Sequence, residues 1–401
     1  MLGQSFRTGA KPLACVMGGM DLVRPLGLFG VRSAVVARPG SPALYSRFTH
    51  SALRRDGFHE RDEDLVDALE WLAAAEPQRP VLFYEEDAQL LLVSRHRDRL
   101  ARVFRFVVAE RELVEDLVDK SRFRALAERL RLPVPATRRL DPAADSGADL
   151  DLRFPVVIKP LMRSPAWDVL AHGHKALQID TPVTLRALWP RLQDLARPLL
   201  AQELVPGGED RIESYHVYVD LNGAVAAEFT GRKIRTYPTT CGHSTALETS
   251  DAADVRHAGR AAVEKLGLTG VAKLDFKRAP DGRLLLLEIN PRFNLWHHLG
   301  AVAGVNLPAL VYADLVGLPR PATRPARAGA RWCSIWNDIP AAQASGLPLW
   351  RWLPWMFGCD AKSAAAWDDP MPLVRSVLHR GFARANHSRA VASLKLYEQA
   401  G

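Results

Sequence analysis

With 401 residues, 48% of them hydrophobic and 24% charged, the chain is long enough for two or three domains with substantial cores, and its composition excludes a predominantly disordered protein. The formal charge is +8, but Lys and Arg are scattered rather than gathered into a basic run with interleaved aromatics. That argues against a nucleic-acid binder and suits anionic small molecules such as nucleotides. Cys15, Cys241, Cys333 and Cys359 form no CxxC pair, residues 1–11 lack the continuous apolar core of a signal peptide, and no apolar run reaches the ~18 residues of a membrane span; a cytoplasmic protein is expected.

Leu13–Met17, running into Gly18-Gly19, reads as a buried strand and a tight turn, and Ser33–Ala37 as the next strand after a short helix. Helical periodicity over 62–75 and the apolar strand Pro80–Tyr84 continue a doubly wound α/β pattern. The Gly18-Gly19 amides are candidates for close approach to a ligand, or simply for a turn. From Asp119 the pattern changes to a helix over 120–130, stopped by Pro133-Val-Pro135. A polar loop, 141–151, leads to the strand Phe154–Pro160, which ends on Lys159. The stretch 163–175 reads as a flexible loop carrying Trp167, His172, Gly173, His174 and Lys175, before a strand over 177–179. A lysine leaving an apolar strand, then a loop, then a returning strand is a way to grip phosphates.

Further on, Leu199–Val205 is a strand entering Pro206–Asp210. Strands Tyr215–Asp220 and Ala224–Phe229 flank an Asn222-Gly223 turn, and Gly231–Pro238 and a loop through Ser244 precede a helix over 252–266. Then comes the most informative stretch, Gly270–Phe293. With Asp281-Gly282 as a two-residue turn, facing residue numbers sum to 563, which sets Asp275 opposite Glu288 and Lys273 opposite Asn290. Leu274, Phe276, Leu285, Leu287 and Ile289 fall on the other, apolar face. Facing carboxylates repel unless a cation lies between them, and Mg²⁺ held by one or two carboxylates and phosphate oxygens is the natural candidate. The alternative is a surface hairpin with a charged solvent face. Residues 318–329 read as a proline-rich linker, and the Trp-rich segment 347–357 as packing on the main body or touching a membrane surface. His297-His298, adjacent on a helix, point about 100° apart and do not suit a shared ion.

Taken together, Asp119-Lys120, Pro133-Val-Pro135, Ile158-Lys159-Pro160, Gln202-Glu203-Leu204-Val205 and Glu288-Ile-Asn290-Pro-Arg292 resemble the ATP-grasp superfamily in order and spacing. The resemblance is nearest to its carboxylate-amine ligases of the D-aspartate ligase-like branch and covers about residues 10 to 318. It implies a mixed α/β and α+β chain: a Rossmann-like pre-ATP-grasp domain (1–118), an ATP-grasp domain with N-terminal (119–200) and C-terminal (201–318) lobes, and a linker with C-terminal extension (319–401).

It also implies that Lys120 and Lys159 contact ATP phosphates, with Lys159 also near the adenine, and that Lys175 belongs to the phosphate-covering loop. Glu203, Leu204 and Val205 would form the adenine hinge, and Glu209 or Asp210 would hold the ribose. Asp275, Glu288 and Asn290 would bind Mg²⁺, or Mn²⁺, at the positions the register reaches independently. Arg292 would stabilise transferring charge, and Lys233 and Arg235 would face the acyl phosphate by strand alternation; Arg232 is the other choice. The covering loop departs from the family in being poor in glycine. The implied activity is ATP-dependent joining of a small-molecule carboxylate to an amine through an acyl phosphate, in a monomer or a homodimer. A silent ATP-binding regulatory protein and a small-molecule kinase are the alternatives.

Overall fold

The computed structural model describes residues 11–59, 61–145, 150–161, 164–239 and 242–379. Parts of the 141–151 and 163–175 loops, and Cys241, lie outside the described residues.

The chain opens with β1 (Ala14–Met17), α1 (Met20–Leu28), β2 (Ser33–Ala37), β3 (Thr49–Arg54), α2 (Glu63–Ala74) and β4 (Val81–Tyr84). These strands form a parallel sheet in the order β3-β2-β1-β4, and β1, β2 and β4 are buried throughout. Their near-continuous apolar runs suit a sheet covered on both faces. Helices α3 (Asp87–Arg95), α4 (Arg97–Leu100), α5 (Arg111–Val118) and α6 (Lys120–Arg129) follow. Asp119 caps α6 by accepting from the Ser121 and Arg122 amides, so the helix begins on Lys120.

A second, antiparallel sheet in the order β5-β8-β6-β7 comprises β5 (Thr137–Leu140), β6 (Val156–Pro160), β7 (Leu177–Ile179) and β8 (Leu199–Glu203), with α7 (Pro165–Leu170) and α8 (Pro182–Gln193). The stretch read as a flexible loop thus contains a helical turn. Pro165 at its start and the Ser164 hydroxyl accepting from the Trp167 amide nucleate it, and the buried Trp167 anchors it.

The third sheet carries β9 (Ile212–Val219), β10 (Val225–Tyr237), β11 (His243–Ser250), β12 (Gly270–Arg278) and β13 (Leu284–Asn290), with α9 (Ala253–Leu266) between β11 and β12. Helices α10 (Trp296–Ala303) and α11 (Leu307–Val316) follow. After the linker come β14 (Arg331–Cys333), α12 (Ile335–Ala344), α13 (Leu349–Phe357) and β15 (Ala361–Lys362). The sheet order is β13-β12-β9-β10-β11-β14-β15, so the C-terminal segment extends the same sheet. Linker residues 318–327 form no regular element.

Among the described residues no single helix is long and apolar enough to cross a membrane; α10 and α11 pass such a test only as a pair bent by 88°, and both are largely buried. The C-terminal segment also returns to the first sheet. Arg24 of α1 pairs with Asp368 at 3.0 Å, Asp369 accepts from the Ser46 hydroxyl at 2.5 Å and the Arg47 amide at 3.0 Å, and the Trp332 indole N–H donates to Asp21 at 2.9 Å.

Candidate active site

The β12–β13 hairpin sets Asp275 opposite Glu288 and Lys273 opposite Asn290. The route to that register differs from the two-residue turn expected. Gly282 donates its amide to the Ala279 carbonyl, and Ala279 pairs with Arg283, so the loop is the three residues Pro280-Asp281-Gly282 with Gly282 at φ +88°. That shifts the tip by one residue: Phe276 faces Leu286, Lys277 faces Leu285 and Arg278 faces Leu284. A bulge between Asp275 and Phe276 in the ladder leaves Leu287 as the extra residue and restores the register at the carboxylates.

Consequently the apolar face carries Leu274, Phe276, Leu286 and Ile289, all buried, rather than Leu285 and Leu287. Neighbours on a regular strand point to opposite faces, yet Leu287 and Glu288 both line the cleft.

That cleft, of about 360 Å³, lies between the antiparallel four-stranded sheet and the third sheet, with α6 along one side. Its lining brings together Lys120, Lys159, Lys175, Glu209, Lys233, Asp275, Glu288 and Asn290, eight of the fourteen residues named from sequence. Lys120 Nζ donates to the Pro160 carbonyl at 2.6 Å and Lys159 Nζ to Gln202 at 3.0 Å. Burial and the neighbouring Lys159 hold Lys120 below its ordinary pKa. Phe123, Ala127, Val134 and Leu287 add apolar surface to the same cavity, a mixture suited to an aromatic base beside phosphates.

Asp275 is 1% exposed and accepts from Ser214 at 2.5 Å, Lys273 at 2.8 Å and, across the sheet, Lys233 at 3.4 Å. Burial opposes its ionisation, but the two ammoniums and the hydroxyl hold the carboxyl well below the usual carboxylate range. Burial likewise opposes the charge on Lys233, and Asp275, Glu288 and Glu209 outweigh it, so its pKa is raised. Glu288 is the open member of the pair, 56% exposed, 3.5 Å from Lys273 and 3.1 Å from the Asn290 amide. Lys273, which the register placed but no assigned role used, is thus the cation at the centre of the constellation.

Among the described residues no group of three or more His, Cys, Asp and Glu gathers to hold a metal alone. Two facing carboxylates and an amide oxygen are nonetheless a hard-oxygen donor set that fits Mg²⁺ completed by phosphate oxygens.

The other six residues lie outside the lining. Arg292 pairs with Asp87 at 2.5 Å and donates to Asn290 at 3.2 Å, so it borders the Glu288–Asn290 edge; burial is outweighed by Asp87 and its pKa is raised. Glu203 is clasped by the Arg153 guanidinium at 2.9 and 3.2 Å. Its amide and that of Leu204 are spent on the Ala136 and Pro155 carbonyls, and Val205 is buried. Of the ribose candidates Glu209 reaches the cavity and Asp210 does not.

Arg235 is not brought to the cleft lining. It makes two bonds to Asp338 of α12, at 2.9 and 2.6 Å, and stacks on Trp355 of α13 at 4.0 Å. Alternation alone aims it with Lys233, but the β10–β11 ladder is irregular between Lys233 and Thr236, and that re-aims the guanidinium. Arg232 is engaged by Glu248 at 2.7 Å.

At Gly18-Gly19 the Gly19 amide donates to Glu85 at 2.7 Å, and a Cβ on Gly18 would sit 2.7 Å from the same carboxylate oxygen. Burial, and then the charge of Asp21, push Glu85 up to about 7. His297 and His298 are both buried, and burial pushes His297 down to about 3.

Comparisons with known proteins point to one fold for a chain with this hairpin and cleft. Residues 216–335 match the family described as "ATP-grasp in the biosynthetic pathway with Ter operon". The chain has the ATP-grasp fold. An N5-carboxyaminoimidazole ribonucleotide synthetase in its ADP complex superposes with a TM-score of 0.59 at 15% identity, covering 81% of each chain. Biotin carboxylase from Campylobacter jejuni gives 0.59 at 14% identity over 80% of this chain and 74% of that one. An L-amino acid ligase from Bacillus licheniformis gives 0.57 at 14% identity over 77% and 75%. No curated protein matches this sequence.

Proposed function

We propose that this ATP-grasp chain is an ATP-dependent ligase that joins a small-molecule carboxylate to an amine. The observation that carries the reading is the facing pair Asp275 and Glu288, with Asn290, in one cavity with Lys120, Lys159 and Lys175. It is supported by the structural likeness to an L-amino acid ligase and to synthetases in ADP and ATP complexes.

In this reading Lys120, Lys159 and Lys175 hold phosphate oxygens, the apolar wall around Leu287 receives the base, and Glu209 holds the ribose. Asp275, Glu288 and Asn290 would hold Mg²⁺, which when bound neutralises charge on the transferring phosphoryl group. The substrate carboxylate attacks the γ-phosphorus, the bond to ADP breaks, and an acyl phosphate forms. The amine then attacks the acyl carbon, and phosphate departs. Lys233, which lines the cleft, would stabilise the acyl phosphate charge, Lys273 would support it by holding Asp275, and Arg292 would orient Asn290. The work is positioning and electrostatics, so no side-chain nucleophile is called for.

One observation favours a second reading, a silent ATP-binding protein: two lysines already neutralise Asp275. Incubation with ATP, Mg²⁺ and a mixed pool of acids and amines, followed by mass spectrometry, separates the two. A product equal to acid plus amine minus water is expected. Nucleotide binding without ADP release across the pool would overturn the ligase, and a phosphorylated product would make the protein a kinase.

A further inference from the structure

Helix α13 lies outside the cleft, and the proposed ligation makes no use of it. Its Trp352 and Met356 are buried, packing in one cluster with Cys333, Ala342 and Cys359. On its other side Leu349 is 45% exposed, Trp350 69%, Leu353 47% and Phe357 64%. At about 100° per residue these four positions fall within an arc of about 100°, a single continuous stripe. A helix that has already buried one apolar face has no folding reason to carry a second, and an exposed aromatic stripe marks an interaction site.

We propose that α13 docks the protein peripherally on an anionic lipid surface. A Trp, Phe and Leu face bordered by a cation is the composition of a helix lying in a membrane interface, where aromatic rings sit at headgroup depth. Arg351 supplies the border, its guanidinium 4.7 Å from the Trp350 ring, and among the described residues it makes no ion pair. Residues 345–357 contain no carboxylate. The flanking Asp338 and Asp360 are engaged, the first by Arg235 and Trp352, the second by Arg327 and the Arg331 amide.

Lys362 bonds the Phe357 and Cys359 carbonyls and so keeps a second positive charge at the helix C-terminus. The rim is cationic on a chain of net charge +8, complementary to phosphatidylglycerol or phosphatidylserine headgroups. At nine residues the helix is about 13 Å long, enough to lie in the interface and far too short to cross it.

The test is flotation of the full chain with vesicles of phosphatidylcholine alone or with about one-third phosphatidylglycerol. The protein should float with the anionic vesicles and much less with the neutral ones. Trp350→Ser combined with Phe357→Ser should reduce binding about tenfold or more, and Arg351→Glu should weaken it on anionic vesicles alone. Nucleotide binding and Tm report that the variants are folded; should the double variant unfold, Trp350→Ser alone carries the comparison on the same lipids. Absence of flotation, undiminished flotation of the folded variants, or a dimer in sedimentation that the double variant converts to monomer would each overturn the proposal.

Discussion

Glu288→Gln separates catalysis from stability more cleanly than any other change in the cleft. The side chain is 56% exposed, and its contacts are the 3.5 Å approach of Lys273 and the 3.1 Å bond from Asn290. An ion pair that open contributes at most about 0.5 kcal/mol, and Gln keeps an acceptor oxygen for Asn290, so Tm should hardly move. Turnover is another matter. If, as proposed, Glu288 is one of two carboxylates that hold Mg²⁺ against transferring phosphate, removing it should cost several kcal/mol of transition-state stabilisation. Taking ~4 kcal/mol, substrate-dependent ADP release falls about 10³-fold. A coupled ADP assay beside a thermal scan reads both quantities. Full activity in the variant would refute the metal role of the hairpin, and loss of activity with a large drop in Tm would refute the claim that Glu288 is structurally idle.

Asp275→Asn should behave in the opposite way, leaving Lys273 and Lys233 partly buried without their shared counter-charge and lowering stability by roughly 3–5 kcal/mol in denaturant titration. Lys120→Ala should weaken nucleotide binding about tenfold by calorimetry with little change in Tm. Arg235→Ala should destabilise by about 3 kcal/mol, since the fully buried Asp338 keeps the Trp352 and Thr245 hydrogen bonds but loses its paired guanidinium. Because the folded-state pKa of Glu85 is raised to about 7 from an ordinary 4.5, the folded protein binds that proton more tightly than the unfolded chain does. Stability should therefore decline as pH rises from about 4.5 to 7 and level off above; Glu85→Gln should leave stability at pH 4 unchanged and raise it at pH 8 by up to about 3 kcal/mol, read as Tm across pH.

The parallel sheet and the facing carboxylates were legible because they rest on local pattern: apolar runs for β1, β2 and β4, and a period of two for β12 and β13. What escaped is what bulges and distant partners decide. The hairpin reached its expected pairing through a three-residue loop and a compensating bulge at Leu287, neither of which alternation reveals. Arg235 sits two residues from Lys233, but its orientation depends on an irregular ladder and on Asp338, 103 residues away. Glu203 lies at the expected strand end, and its partner Arg153 comes from 50 residues earlier. Strand β14 has only three residues, too few for a period, and was hidden behind the linker.

The contacts of Asp368 and Asp369 with Arg24, Ser46 and Arg47 bear on how the chain is made. A domain at the front of a polypeptide ordinarily finishes folding while the rest is still being synthesised. Here the buried Arg24 receives its counter-charge, and Asp21 its indole donor Trp332, only after more than three hundred further residues have left the ribosome. The buried charges of α1 must therefore wait for partners made far later than the sheet on which the helix packs.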